Sequence, residues 1–251
     1  TSDTINLGTG NIFANGLSTL TLCAWIRPDV TEINDVFSQG TQAGSPFREI
    51  QLNTWSDGRM LCASDAGNAD QSVFSVSTYS LSVWSHWAGT YDGTTARIYK
   101  DGVQDNTATW SGGLTELAAN QSIGSSTFAN QFFNGRIAEV GAWNVTLTAN
   151  EIVSIARGVS ANRVRTGSLV GYWWVGAGSP EPDWSGKGNN GTLTGTTIAD
   201  HAPTGPPFGF DVGWMGAFTS LTVDQYFSAM RYPPQIYPRF TRMIPSGNVP
   251  R

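Results

Sequence analysis

Asp-Gly pairs at short intervals divide the first half of this chain into runs of strand-forming residues, and this pattern restricts the possible folds most. Asp57-Gly58 separates the runs EIQLNTW and RMLCAS, and further Asp-Gly pairs occur at 92–93 and 101–102. Tight turns of this kind join neighbouring antiparallel strands. Because no helical pattern alternates with the runs, we expect an antiparallel β-sandwich. The run STLTLCAWIRPD, apolar on both faces, is typical of a central strand covered on both sides.

One short helix is predicted near residue 150. Thr148 and Glu151 form a capping-box pattern, in which each side chain bonds the backbone of the other residue. Ile152 and Ile155 then start an apolar stripe, and Gly158 lies where a C-terminal cap belongs. We therefore expect a surface helix of about three turns.

The charge and composition of the chain exclude some functions. The formal net charge is −5 and the sequence pI is about 4.9, so a nucleic-acid-binding body is not expected. No apolar run reaches the roughly 18 residues that a membrane span needs. Only 13% of the residues are charged, whereas about a quarter are in ordinary soluble domains. This composition favours an extracellular, cell-surface or virion location.

The two cysteines, Cys23 and Cys62, show no metal-binding spacing. They allow either one disulfide or two buried free thiols, and the sequence leaves both alternatives open.

The character of the chain changes after about residue 202. Eight of the 12 prolines and nine aromatic residues lie in residues 203–251. Proline at this density excludes a long helix or a central strand, whereas disordered tails are usually poor in aromatic residues. We predict a domain at 1–202 and an extended C-terminal arm at 203–251 that contacts neighbouring subunits. The arm residues expected to make these contacts are Trp214, Phe218, Tyr226, Phe227, Arg231, Tyr232, Tyr237 and Arg239.

Three motifs in order carry a resemblance to a known family. They are WSHWAGTYDGTTARIYKDGVQ, FFNGRIAEVGAWNVTLTANEI and LVGYWWVGAGSPEPDWSGKGNNGTLTG. Together they make residues 3–200 similar to the concanavalin A-like, laminin-G-type jelly rolls. The resemblance implies an all-β, two-sheet antiparallel jelly-roll sandwich, with the short helix and the C-terminal arm as additions. Such modules occur in adhesins, lectins, accessory domains of sialidases and glucanases, and phage or virion surface proteins.

The third motif often opens a module of this family, but here it follows the helix. It can supply the closing strand pair of the same sandwich or begin a second, truncated module. Too few residues follow for a second sandwich, so the closing strand pair is favoured.

The stretch EIQLN tests whether the chain is a glycosidase. Alternate residues of a strand share a face, so Glu49, Gln51 and Asn53 form one row. Related glucanases carry a nucleophile and a general acid in such a row, and retaining hydrolysis needs two carboxyl groups about 5–5.5 Å apart. An amide can serve in neither role. Glu181 and Asp183 flank Pro182 in an expected loop, so no catalytic residue is predicted.

Calcium is the one cofactor that the sequence suggests. Asp65, Asn68 and Asp70 offer oxygen ligands of the kind that Ca²⁺ prefers, and calcium sites are common in the family that the chain resembles. A second candidate pairs Asp3 with Glu139, on the expectation that the first and a late strand are neighbours.

Aromatic residues provide candidates for sugar binding. Trp25, Trp84, Trp87 and Trp143 lie within strand motifs, where core packing is expected. Trp55 and Trp110 lie beside turns, where an exposed ring can stack on the apolar face of a sugar.

Three functions follow from these patterns. The first is a non-catalytic structural or adhesive surface protein that assembles with itself or with other structural subunits through the arm. The alternative is a carbohydrate-binding, lectin-like module. The third is a glycoside hydrolase, which the missing acid pair disfavours.

Overall fold

The computed structural model describes residues 3–10, 12–14, 16–41, 48–66, 69–113, 120–126 and 131–204, and for residues 41, 48–49, 61, 63–66 and 69–70 it describes the backbone only. These residues form two antiparallel sheets and one α-helix, which confirms the predicted jelly-roll sandwich.

The first sheet has seven strands in the order β13-β1-β10-β3-β4-β5-β6. Their bounds are β1 Thr4–Gly8, β3 Asn34–Thr41, β4 Arg48–Thr54, β5 Arg59–Ala66, β6 Ala69–Thr78, β10 Gln121–Ile123 and β13 Thr192–Thr194.

The second sheet has six strands in the order β12-β11-β2-β7-β8-β9. Their bounds are β2 Leu20–Pro28, β7 Ser85–Tyr91, β8 Thr95–Lys100, β9 Val103–Thr109, β11 Gly135–Trp143 and β12 Leu169–Trp173.

The hydrophobic core lies between the two sheets. Alternation along the strands places Ile50 and Leu52 of β4, and Leu22 of β2, in this core. Strand β2 lies inside its sheet and is buried almost throughout, as the sequence predicts for a strand covered on both sides.

The helix α1, Ala149–Ala156, covers the outer face of the second sheet. Thr148 is its N-cap and forms the predicted capping box with Glu151. Ile152 and Ile155 pack into an apolar cluster that includes Tyr172. The helix has eight residues, so it is shorter than the three turns expected.

The third sequence motif completes the same sandwich. Strand β12 pairs with β11 at the edge of the second sheet, and β13 pairs with β1 at the edge of the first. A second, truncated module is therefore excluded, and the reading as a closing strand pair is confirmed.

The two cysteines are free and buried, so the disulfide alternative is wrong. Cys62 lies in the core between the sheets, whereas Cys23 packs on the outer face of the second sheet. Their side chains thus lie on opposite sides of that sheet, and burial raises the pKa of both thiols.

Replacement of Gly89 by Ala tests how closely the sheets pack. An added Cβ at Gly89 would lie 2.3 Å from the Sγ of Cys62, so we expect Gly89→Ala to reduce the free energy of unfolding by roughly 1–3 kcal/mol. Urea denaturation measures this loss. Gly167→Ala is the control, since a Cβ there meets no atom within 4 Å; equal effects of the two changes would contradict the packing.

Candidate functional site

The connection between β12 and β13 is built around the carboxylate of Glu181. Oε1 accepts a hydrogen bond from the backbone N–H of Val175 at 2.8 Å, and Oε2 accepts from Gly176 and Ala177, each at 3.0 Å. Glu181 is fully buried. Burial raises the pKa of its carboxyl group, whereas the backbone donors favour the charged form. The carboxylate is thus a structural acceptor that replaces water for three consecutive amides.

A second carboxylate fixes the next turn of the same connection. Asp183 accepts hydrogen bonds from the backbone N–H groups of Tyr172, Ser185 and Asn189. The backbones of Glu181 and Gly191 also exchange two hydrogen bonds of 2.8 Å. Because β12 and β13 belong to different sheets, these contacts join the two sheets at one edge of the sandwich.

A cleft of about 290 Å³ opens beside this connection, between the edges of the two sheets. Strands β1, β10, β11 and β13, together with Phe133 just before β11, supply an apolar floor, and the segment 196–201 forms one wall. The floor consists of Ile5, Ile123, Phe133, Ile137 and Leu193, and the polar lining includes Asp3, Asp29, Arg136, Glu181, Thr196 and Asp200.

An ion pair joins the two sides of the cleft. Arg136, which is partly exposed, lies 2.8 Å from the exposed carboxylate of Asp200. The hydroxyl of Thr196 is buried and has no hydrogen-bond partner. Val175, in the wall, has φ of +63°, a conformation that β-branched residues rarely adopt. A strained backbone and an unsatisfied hydroxyl are both features that concentrate at binding sites.

The lining of the cleft combines apolar and polar groups. The apolar floor suits a ring with an apolar face, and Arg136 and Asp200 supply a donor and an acceptor at the mouth. The buried carboxylate of Glu181 is already hydrogen-bonded by three amides, so it is a poor choice for nucleophile or proton donor.

Trp55 lies at the surface, where the sequence places it. Its half-buried ring packs edge-on against Phe74 at 5.1 Å. The guanidinium of Arg59 lies over the same Phe74 ring at 4.7 Å and also pairs with Asp57. Whether Trp55 binds sugar stays a prediction.

The expectation that Trp110 lies at the surface is wrong. Its side chain is only 2% exposed, and its ring packs against Tyr91 at 5.2 Å in the core between the sheets. Of the four tryptophans expected in the core, Trp87 and Trp143 are fully buried, Trp25 is nearly so, and Trp84 is half-buried.

The strand pairing expected to bring Asp3 and Glu139 together does not occur, because β1 pairs with β10 and β13, whereas β11 pairs with β2 and β12. Calcium binding by these two residues stays a prediction. Asp3 lines the cleft. Glu139 is buried, and it accepts hydrogen bonds from the hydroxyls of Tyr172 at 2.6 Å and Thr204 at 3.0 Å. Burial raises the pKa of Glu139 to about 7. In the described part of the chain, no three His, Cys, Asp or Glu side chains group as metal ligands.

The other calcium candidates are only partly described. Asp65 and Asp70 lie opposite each other on β5 and β6, with the backbone alone described, and Asn68 lies outside the described residues. This site stays a prediction. In the row of EIQLN, Gln51 is half-buried and Asn53 is buried, while only the backbone of Glu49 is described.

The eight predicted arm residues, from Trp214 to Arg239, lie outside the described residues. Assembly through the arm therefore stays a prediction. Within the ranges that the structure describes, no helix is long and apolar enough to cross a membrane.

Sequence reasoning did not identify the cleft residues Arg136, Thr196 and Asp200. They come from parts of the chain about 60 residues apart that meet only after the sandwich closes. The sequence Asn134-Gly135-Arg136 lies where β11 begins, and it does not predict a cleft.

Comparison with known proteins agrees with the fold. The family model of the concanavalin A-like lectin/glucanases superfamily matches residues 1–153. No curated protein sequence matches the chain.

Among solved structures, a candidate carbohydrate-binding protein from Bacteroides ovatus superposes with a TM-score of 0.61 and 20% identity, over 80% of this chain and 59% of that protein. The chain thus spans less than two thirds of that relative. The CBM40 domain of a Ruminococcus gnavus IT-sialidase, solved with α2,3-sialyllactose, superposes with a TM-score of 0.48 and 15% identity. The match covers 56% of this chain and 84% of that domain. A SAP-like pentraxin from Limulus polyphemus superposes with a TM-score of 0.45 and 17% identity, over 61% of this chain and 75% of that protein. At these identities the likeness concerns the fold alone.

Replacement of Glu181 by Gln tests the structural role of its carboxylate. The amide puts a donor where the carboxylate accepts from backbone N–H groups, so we expect a loss of about 2–3 kcal/mol in the free energy of unfolding. Chemical denaturation measures it. Asp200→Asn is the control, because that carboxylate is 86% exposed, and the idea fails if both variants retain wild-type stability.

The buried Glu139 predicts a pH dependence of stability. Its pKa is about 7 in the folded protein and 4.5 in its ordinary state, so the folded state binds the proton more tightly. The contribution of this group to stability is therefore fully present below pH 4.5 and is lost as the pH rises to 7, by about 3 kcal/mol.

Urea denaturation of wild type and Glu139→Gln across this pH range isolates the effect. As the pH rises, the free energy of unfolding of the variant should increase relative to that of the wild type. The contributions of all other titrating groups are the same in both proteins and cancel in this comparison. A difference that does not vary with pH would contradict the raised pKa.

Proposed function

The chain belongs to the concanavalin A-like lectin/glucanases superfamily, and on that basis we propose that it is a non-catalytic domain that binds carbohydrate in the cleft between the sheet edges. The observation that carries the proposal is the lining of this cleft, in which an apolar floor lies below donors and acceptors at the mouth. A sugar ring presents the same combination, an apolar face and a rim of hydroxyl groups.

The size of the cleft favours a short ligand. Ligand pockets usually measure about 300–1,000 Å³, and the cleft, at about 290 Å³, lies just below this range. We therefore expect one sugar ring to enter, for example the terminal unit of a glycan, rather than a long stretch of polysaccharide.

The charges at the mouth suit hydroxyl groups. The guanidinium of Arg136 can donate hydrogen bonds, and the carboxylate of Asp200 can accept them. The Bacteroides ovatus protein with the related fold is itself described as a candidate carbohydrate-binding protein.

A binding rather than catalytic role is supported by the use of the acidic groups. Glu181 and Asp183 accept backbone hydrogen bonds, and the row that holds Gln51 and Asn53 has amides where glucanases have acids. Glycan binding also agrees with the expected extracellular or cell-surface location, which the low charge content favours.

A glycan array followed by calorimetry tests the proposal. With the best array ligand, Arg136→Ala should weaken binding about 10- to 100-fold, as expected for the loss of a charged hydrogen-bond donor. Arg97→Ala is the matched control, because Arg97 is likewise a partly exposed arginine paired with an aspartate, Asp92, but does not line the cleft.

Two results would change the account in different ways. If the protein binds no glycan on the array, the proposed carbohydrate binding is wrong. Retained binding in Arg136→Ala together with lost binding in Trp55→Ala would keep the function but move the site to Trp55.

A further inference from the structure

Acidic groups outnumber basic groups around the cleft. Among the described residues that line it, Arg136 alone is an arginine or lysine, whereas four carboxyl groups belong to Asp3, Asp29, Glu181 and Asp200. Arg27 is not part of the lining, but it pairs with Asp29. Two guanidinium groups thus face four carboxyl groups. The aspartates alone outnumber the two arginines, so the cleft is negative at neutral pH without any charge on Glu181.

His201 adds no positive charge to this balance. Its ring also lines the cleft, and it stacks on Trp174 with ring centroids 4.5 Å apart. Burial lowers the pKa of His201, so its ring is neutral at neutral pH. A ligand carboxylate in the cleft is therefore repelled by the aspartates, whereas an ammonium group is attracted.

Asp29 is the carboxylate best positioned to bind a ligand. It directly follows β2, and its backbone N–H donates to the carbonyl oxygen of Asn134 at 2.9 Å, beside the start of β11. Its Oδ1 accepts hydrogen bonds from Nη1 of Arg27 at 3.2 Å and from the hydroxyl of Ser82 at 3.1 Å. Neither of these bonds uses Oδ2, and the side chain is 43% exposed. The carboxylate is thus held in place, and its second oxygen can accept hydrogen bonds from a ligand.

The arginines at the mouth are already paired with acids. Arg27 and Arg136 lie directly opposite each other on β2 and β11, and like charges in such positions destabilise a sheet. Asp29 compensates the first arginine, and Asp200 compensates the second at 2.8 Å. An acidic sugar would have to displace Asp200 in order to pair with Arg136, so the mouth disfavours anionic ligands.

We propose that the cleft selects sugars that carry a protonated amino group, which Asp29 binds; this specificity rests on the carbohydrate binding proposed above. The ring of an amino sugar keeps an apolar face for the floor of the cleft, and its ammonium group offers three N–H donors where a hydroxyl offers one. N-acetylation removes the charge, and a uronic acid reverses it. For one and the same ring, affinity should therefore fall in the order amino sugar, neutral sugar, acidic sugar.

Titrations of the ¹⁵N-labelled full chain, followed by amide chemical shifts, test this order. The probes are the methyl glycosides of glucosamine and galactosamine, each compared with its N-acetylated, neutral and uronic acid counterparts. At about pH 6, where the amino group is protonated, the Kd of each amino sugar should be about three- to tenfold lower than that of its N-acetylated form. The difference should shrink at about 1 M NaCl, which screens the partly exposed Asp29.

Two variants make the result specific. Asp29→Asn removes the charge and keeps the shape of the side chain, so it should bind the amino and N-acetylated sugars equally well. Asp57→Asn is the matched control, because Asp57 also pairs with an arginine two residues away, Arg59, and is 47% exposed, but does not line the cleft. It should keep the preference of the wild type, and the amide spectra show whether both variants are folded.

The outcomes separate this specificity from carbohydrate binding itself. Neutral or acidic sugars that bind the wild type as tightly as the amino sugars would overturn the specificity and leave the proposed function standing. A preference for amino sugars that persists in Asp29→Asn would overturn the role of Asp29. If neither these probes nor any glycan on the array binds, the specificity and the proposed function are both wrong.

Discussion

The carboxylate of Glu181 accepts hydrogen bonds from three consecutive backbone amides, and the closed edge of the sandwich depends on them. The chain crosses here from the second sheet to the first, and the partly buried amides of Val175 and Gly176 find their acceptor in this carboxylate. The same contacts hold Val175 at φ +63° and place Gly176 in the wall of the cleft. One buried acid thus links fold closure to the shape of the candidate binding site.

Local signals in the sequence predicted the fold well. The capping box of Thr148 and Glu151 depends only on residues three apart, and Asp101-Gly102 joins β8 to β9 as the turn pattern predicts. The third motif forms the closing strands β12 and β13, as expected. The signals for the helix cap and for the turn each depend on residues that are close together in the sequence.

The site could not be predicted in the same way, because it depends on contacts between distant elements. Trp110 follows strand β9 beside a turn, yet packing on Tyr91 buries it. Asp3 and Glu139 were expected on paired strands, but β1 pairs with β10 and β13 instead of β11. The ion pair of Arg136 with Asp200 likewise appears only once the segment after β13 lies along β11.

The central claim is that sugar binds in the cleft rather than on an exposed aromatic surface. Amide chemical shifts of the ¹⁵N-labelled protein, followed during titration with a glycan that binds, test it most directly. The account predicts that the largest changes occur at Gly135, Arg136 and the segment 196–201, which line the cleft. Changes confined to the indole N–H of Trp55 and its neighbours, with the cleft signals unmoved, would contradict it.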